Sequence, residues 1–105
     1  MRSKSRMNRE KRKNTMYNSS PLAQYLKKCR EKAGYSQTQV SSKLGYTSPQ
    51  FISNWERGLS HPPVKSLNKL AKLYKVKGVE LGEVFIKTYM KEVEEDLRRQ
   101  IKEVV

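Results

Sequence analysis

The stretch SQTQVSSKLGYTSPQFISNWERG, residues 36–58, contains two short helical patterns separated by a polar turn. Ser36 and Gln39 have the spacing of a capping box, in which each side chain satisfies a backbone N–H at the start of a helix. Gly45 ends the first pattern, and Pro49 is expected at the first position of the second. Each pattern covers about two turns, which is too short for a stable isolated helix. Both helices must therefore be held by packing against the rest of the chain.

The second pattern carries polar side chains on one face. Gln50 and Asn54 are four residues apart, so they share that face, while Ile52 lies on the opposite side with Trp55. Two short helices joined by a tight turn predict a helix-turn-helix, whose second helix enters the major groove of DNA. A side-chain amide both donates and accepts, which matches the N6 and N7 edge of adenine. Phe51 is expected either to contact a thymine methyl or to be partly buried between helices.

The composition indicates a nucleic-acid partner. The chain has 105 residues, enough for one domain with tails, and a formal net charge of +13. So positive a small protein predicts a polyanionic partner, most often nucleic acid. The sequence has no apolar run near the length of about 18 residues that spans a membrane, and no apolar signal segment follows its basic N-terminus. The single cysteine, Cys29, cannot form an internal disulfide, which fits a cytoplasmic location.

The sequence predicts no catalytic centre, metal site or cofactor. His61 is the only histidine and lies in a proline-containing loop, whereas a metal site generally needs three or four ligands. Four acids between residues 92 and 96 form one run on a predicted helix, which indicates a solvated face rather than a catalytic pair. No glycine-rich phosphate loop occurs. We therefore expect a binding protein rather than an enzyme.

The chain divides into an arm, a domain and a helical extension. Residues 1–19 hold seven Lys or Arg, one acid and few apolar residues, which predicts a disordered basic arm. Residues 20–86 predict an all-α domain of five helices, and residues 87–105 predict an extension of its last helix.

Local signals place the first and fourth helices. Ser20 is a suitable N-cap for the first, and Gly34 supplies a left-handed C-terminal stop. The fourth helix is expected over residues 64–74, with Val64 facing inward, and Gly78 is expected to break it.

The extension continues an apolar stripe beyond the needs of the domain core. Its spacing of three and four residues resembles a coiled-coil seam, flanked by charged residues. We expect this helix to join two copies in a homodimer, although it can instead lie back on its own domain. The expected seam consists of Met90, Val93, Leu97 and Ile101.

The residues following Ser36 closely resemble the DNA-binding domain of the phage repressor and Cro superfamily, also called the XRE-like helix-turn-helix family. The landmarks are SQ at the start of the second helix, LG at its end, ISNWERG closing the third, and a proline before the amphipathic LNKLAKLY. The resemblance covers residues 20 to about 86. It implies a repressor-like all-α fold and binding of double-stranded DNA.

The resemblance also assigns roles to individual positions. It implies base reading by the start of the third helix and by a residue one turn later, on Pro49, Gln50, Phe51 and Asn54. It implies phosphate contacts by the Gln37 side chain and by backbone N–H groups after the third helix, and we expect further phosphate contacts nearby. The complete phosphate set is Gln37, Ser48, Ser53, Arg57, Gly58 and Leu59. It also implies a structural ion pair between Arg30 and Glu56.

The sequence departs from the family pattern in the turn before the third helix. GYTSPQ is one residue longer than the common form, so the frame of that helix can shift by one residue. Pro49 offers no side-chain donor, so base reading rests more on Gln50 and Asn54.

The sequence therefore predicts a cytoplasmic, repressor-like transcriptional regulator from a bacterium or phage, which acts as a dimer on duplex DNA. The main alternative is an antitoxin-type DNA-binding protein whose C-terminal helix binds a protein partner. A further alternative is a protein that coats nucleic acid without sequence preference.

Overall fold

The computed structural model describes residues 20–104, which form five α-helices. The helices are α1 (Pro21–Ala33), α2 (Gln37–Lys43), α3 (Gln50–Glu56), α4 (Leu67–Tyr74) and α5 (Gly78–Val104). One turn of 3-10 helix, Val64–Ser66, precedes α4. The predicted all-α class with five helices is confirmed. The arm expected over residues 1–19 lies outside the described residues.

Helix α1 begins and ends as the sequence predicts. The Ser20 hydroxyl accepts a hydrogen bond from the N–H of Ala23 at 3.3 Å, and Pro21 takes the first helical position, where an N–H would have no helical partner. At the other end, Gly34 has a φ of +84° and donates its N–H to the carbonyl of Glu31 at 3.0 Å. Glycine adopts this left-handed conformation without steric cost, so it stops the helix cleanly.

The capping box predicted for α2 is present. The Ser36 hydroxyl accepts the N–H of Gln39 at 3.0 Å, and the Gln39 Oε1 accepts the N–H of Ser36 at 2.8 Å. After α2 the chain reverses through Gly45, which has a φ of +89°. The turn that follows is tied back to α2, because the Ser41 hydroxyl donates a hydrogen bond to the carbonyl of Ser48. These bonds fix α3 relative to α2.

The fourth helix is shorter than predicted, and two expectations about it were wrong. Val64 is exposed rather than inward, because Pro63 holds an extended backbone and Val64 starts a 3-10 turn, to which the α-helical period does not apply. The regular helix α4 begins only at Leu67. It ends before Lys75, which adopts a left-handed φ of +59°. Gly78 therefore does not break α4; it is the first residue of α5.

All five helices contribute to one core. Burying an aliphatic side chain stabilises the fold by about 1.5–3 kcal/mol, so this shared core compensates for the shortness of α2 and α3. Its most completely buried aliphatic side chains are Leu22 and Leu26 of α1, Val40 of α2, Ile52 of α3, Leu70 of α4 and Leu81 of α5.

Helix α5 closes the core with its first turns and then continues beyond it. The buried Thr88 accepts a hydrogen bond on Oγ1 from the N–H of Leu22 at 3.1 Å, which satisfies a backbone donor in the first turn of α1. The domain boundary expected after residue 86 falls inside this continuous helix, and buried contacts extend to Thr88. Residues 89–102 are exposed. Although α5 is long, no described helix is both long and apolar enough to cross a membrane.

Candidate nucleic-acid interface

Helix α3 is anchored by one face and leaves the other face open. Ile52 and Trp55 are buried, as the sequence predicts. The Tyr46 ring, from the turn before α3, meets the Trp55 ring edge-on at 6.0 Å between centroids and the Phe51 ring at 4.7 Å. Phe51 itself remains about half exposed at 52%. Tyr46 therefore supports an aromatic side chain at the outer edge of the helix, where it is accessible to a partner.

The outward face of α3 presents two paired amides. The Gln50 Nε2 donates to the Asn54 Oδ1 at 2.9 Å, across one helical turn. This bond orients both side chains and leaves the Gln50 carbonyl and the Asn54 amino group for another partner. One acceptor and one donor group on the same exposed surface are the complement that an adenine edge requires.

The start of α3 resolves the frame that the longer turn left open. The helix begins at Gln50, one residue later than predicted, and Pro49 takes the N-cap position. The Ser48 hydroxyl accepts the N–H of Gln50 at 3.3 Å. Pro49 and Ser48 are both exposed beside the paired amides. Pro49 thus contributes shape to this surface but no hydrogen-bond donor.

Glu56, at the end of α3, is the centre of a buried polar cluster. Its carboxylate accepts from Arg30 Nε at 2.7 Å and from Arg30 Nη2 at 3.0 Å, a two-point contact. It also accepts from Gln37 Nε2 at 3.0 Å, while Arg30 Nη1 donates to the Tyr35 carbonyl at 2.8 Å. The hydrogen bond with Glu56 raises the pKa of Arg30, so the guanidinium stays charged. The cluster joins α1, α2 and α3 and neutralises a carboxylate beside the polar face.

The structure gives Gln37 a partner that the sequence did not predict. Its side chain reaches Glu56, so a phosphate contact would have to use the remaining N–H of the same amide. Gln37 also lines a shallow depression between α1 and the end of α3. This depression was not foreseen because Lys27 and Gln24 lie on α1, far from the helix-turn-helix stretch in sequence. Its lining consists of Gln24, Lys27, Gln37, Ser53, Glu56 and Arg57.

The backbone N–H groups after α3 are already engaged. Arg57 donates to the Ser53 carbonyl at 3.0 Å, Gly58 to the Trp55 carbonyl at 3.3 Å, and Leu59 to the Asn54 carbonyl at 2.9 Å. These hydrogen bonds cap the helix end, and the phosphate contact expected from these N–H groups stays a prediction. The exposed guanidinium of Arg57 is the group at this position that remains suited to a phosphate.

Charge is divided unevenly along the chain. Residues 20–77 contain eleven Lys or Arg and two acids, whereas residues 78–105 contain five Lys or Arg and seven acids. The positive charge therefore lies in the domain that carries α3 and in residues 1–19, with their seven Lys or Arg and one acid, whereas the C-terminal helix is close to neutral. Within the described part of the chain, no group of three His, Cys, Asp or Glu side chains is arranged to hold a metal ion.

The expected seam residues lie on the free part of α5. Met90, Val93, Leu97 and Ile101 are between 37% and 64% exposed. At about 100° of rotation per residue, they lie on the side of α5 opposite Leu81 and Thr88, which face the core. The stripe therefore points away from its own domain, so the fold-back alternative is not what the described helix adopts.

The comparisons with known proteins agree with this geometry. A family model described as helix-turn-helix, HTH_3, matches residues 26–81, which is just over half of the chain. The chain is also 40% identical over 55 residues to the HTH-type transcriptional regulator ImmR of Bacillus subtilis (strain 168). That match covers 52% of this chain and 42% of the relative, so the chain aligns with less than half of the relative's length.

No solved structure matches the chain significantly. Neither the family nor the relative favours the antitoxin alternative, since the relative is named as a transcriptional regulator. The family match spans α2 and α3, and reaches from Leu26 in α1 to Leu81 in α5. The chain therefore belongs to the HTH_3 family of helix-turn-helix proteins.

Proposed function

We propose that this chain is a sequence-specific transcriptional regulator, repressor-like in its fold, that binds double-stranded DNA with α3 in the major groove. The observation that carries the proposal is the pair Gln50 and Asn54, which is hydrogen-bonded on the open face of a helix whose other face is buried. The basic domain around it supplies attraction to phosphates. A regulator of this kind acts in the cytoplasm, on the chromosome or on phage DNA.

Individual contacts follow from the position of each group. Gln50 and Asn54 read base edges, with Phe51 and Pro49 contacting the groove beside them. Ser48, Ser53 and Arg57 border this face and contact the phosphates, while Gln37 contributes through its remaining N–H. Gly58 and Leu59, at the end of α3, lie next to the same phosphates and complete the predicted set.

Selection from a random DNA pool tests the proposal, because it does not require the operator to be identified first. The full chain is incubated with random duplexes at moderate salt, and bound molecules are sequenced over several rounds. We expect enrichment of one motif that contains two related half-sites, because α3 carries base-reading amides and two copies bind together. Recovery of unrelated sequences with equal affinity would instead indicate a protein that coats nucleic acid without preference.

We further propose that the chain binds DNA as a homodimer joined by α5. The apolar stripe is exposed on the side away from the domain, so it is free to pack against a second copy without disturbing the core. Single helix-turn-helix domains are commonly paired because two half-sites, about 34–36 Å or a multiple apart, bind more strongly than one. Ile86, about one turn before Met90, is also exposed on this side of α5, and it would lengthen the contact between the two helices.

Replacing Leu97 by Asp tests the dimer. The substitution puts a charge into the middle of the stripe on both chains, while the core of α1–α4 stays intact. We expect the molar mass in light scattering to fall to that of a monomer, and the affinity for two half-sites to fall by at least about tenfold. Lys91→Asp adds a charge change on the same helix but outside the stripe, and it should leave the dimer intact.

A chain that stays dimeric after Leu97→Asp would show that another surface joins the copies. A wild-type chain that is monomeric with its stripe exposed would instead favour a protein partner on α5.

A further inference from the structure

We propose that His61 and Glu92 form a strut that sets the direction in which α5 leaves the domain, and thereby the half-site spacing that the dimer accepts. His61 acts as a positioning residue and touches no base. This inference rests on the proposed dimeric DNA binding, and it names the device that orients the two recognition helices relative to each other.

The strut is a contact between elements that are distant in sequence. His61 Nε2 lies 2.7 Å from Glu92 Oε1, and the two residues are 31 positions apart. The side chain of His61 is 25% exposed and that of Glu92 is 45% exposed, so water reaches the contact only in part. The sequence placed His61 in a proline-containing loop and Glu92 on a solvated face, and neither expectation anticipated their pairing.

Aromatic rings hold the imidazole in place. The His61 ring meets Phe85 edge-on at 6.0 Å and Tyr89 at 6.4 Å between centroids. Phe85 and Tyr89 are themselves nearly parallel, at 6.3 Å and 10°. They lie one turn apart on α5, immediately before Glu92. The imidazole therefore has both a packing surface and a hydrogen-bond partner on the same stretch of helix.

The loop that carries His61 is stiff and starts at the recognition helix. Pro62 is buried and Pro63 is extended, with φ of −59° and ψ of +143°. Each proline fixes its own φ, and Pro62 also restricts the backbone of His61. At its other end, the loop is fixed to α3 by the hydrogen bond from the Leu59 N–H to the Asn54 carbonyl. A displacement of α5 at Glu92 is therefore transmitted to the end of α3.

Glu92 is the last described tie between α5 and the domain. Thr88 binds Leu22 one turn earlier, and both ties lie on the same side of α5 because they are four residues apart. Beyond Glu92, the hydrogen bonds described up to residue 102 are all within α5. Without the His61–Glu92 contact, the last described hydrogen bond between α5 and the domain would be that of Thr88, about 6 Å nearer the start of the helix.

A small tilt of α5 has a large effect on DNA binding. Over a lever of about 20 Å, a tilt of about 10° displaces the far end by about 3.5 Å, close to the rise of one base pair. The strut lies at the same level along α5 as Met90 and Val93 of the seam, on the opposite side of the helix. The angle it fixes therefore decides which separation of half-sites both α3 helices can reach at once.

The test measures spacing preference rather than affinity alone. The selected two-half-site duplex is remade with its gap changed by one and two base pairs in each direction, and binding of the full chain to each is compared. Wild type should prefer one gap. In His61→Ala and Glu92→Ala, each dimer loses two partly exposed contacts, so the preference should shrink by about five- to tenfold.

Two further variants separate the strut from general effects. Glu94→Gln breaks the Arg98 pair on the same helix without touching the domain, and it should keep the wild-type preference. His61→Phe keeps a ring against Phe85 and Tyr89 but removes the hydrogen bond, and it should behave like Glu92→Ala. Light scattering and binding to a single half-site should be unchanged in all of these variants.

The outcomes are distinguishable. A wild-type chain that dimerises and prefers one gap, together with a His61→Ala variant that keeps the same preference, overturns the strut but leaves the proposed function standing. A wild-type chain without a preferred gap overturns both the strut and paired half-site binding.

Amide hydrogen exchange in residues 89–96, measured without DNA, gives an independent check. It should accelerate in His61→Ala and Glu92→Ala, and unchanged exchange would contradict the strut.

Discussion

At the residue scale, the environment of Glu56 explains why a carboxylate is tolerated next to a surface for a polyanion. Arg30 contacts it at two points, Gln37 supplies a third donor, and the side chains of Arg30 and Glu56 are only 11% and 3% exposed. A buried carboxylate without its cation would have to be protonated or hydrated at a high cost. The pair is therefore a structural requirement of the domain.

Arg30→Ala should destabilise the folded chain strongly. It leaves Glu56 buried with Gln37 alone, and breaking a buried pair in this way costs about 3–5 kcal/mol in the free energy of unfolding. Urea unfolding followed by circular dichroism measures the loss. Arg98→Ala is the matched control, because its pair with Glu94 is exposed and worth less than about 1 kcal/mol. Equal, small losses in both variants would show that the Arg30 pair is not buried in solution.

Individual residues were predictable where a local rule decides them. Ser36 and Gln39 form a capping box because their spacing alone determines it, and Gly34 stops α1 because few other residues accept its backbone conformation. His61 and Glu92 were not predictable, because their contact joins positions 31 residues apart. The engaged N–H groups after α3 were missed for a related reason, since the resemblance gives positions but not hydrogen bonds.

At the element scale, the apolar period predicted which segments are helices but not where each one leaves the core. The sequence predicted that the last helix continues past residue 86 and that the core closes before it, and α5 does run on without interruption but packs as far as Thr88. A threonine gives no apolar signal, although it is seven residues after Leu81 and so lies on the same face. Val64 was predicted to be buried because it has the spacing of the inward residues of α4, but it precedes that helix and is exposed.

Thr88→Val should weaken the attachment of α5 to α1. Valine has nearly the same shape but cannot accept the hydrogen bond from the Leu22 N–H, so a buried donor loses its partner. We expect a loss of about 1–3 kcal/mol in the free energy of unfolding, together with faster amide exchange at Leu22. Thr88→Ser keeps the hydroxyl and should protect that amide as wild type does. Slow exchange at Leu22 in the valine variant would mean that this donor finds another acceptor.

At the scale of the whole molecule, the positive charge and the exposed apolar stripe lie on different parts of the chain. The positive domain presents α3 and its amides, and the nearly neutral α5 presents an apolar stripe on the side away from the domain. Family membership was predictable, because the spacing of the helix-turn-helix landmarks reflects the packing that forms the domain. The relation of the domain to α5 was not, because it depends on contacts such as Thr88 with Leu22.

We propose that the outward face of α3 reads bases, and the affinity of Asn54→Ala for DNA measures this role. Titrations use the duplex selected by the wild-type chain and a random duplex of equal length at the same salt concentration. We expect the variant to lose about 1–3 kcal/mol of binding free energy on the selected duplex and less than about 0.5 kcal/mol on random DNA, because base contacts carry specificity while phosphate contacts are common to both. Equal losses on the two duplexes would show that Asn54 does not read a base.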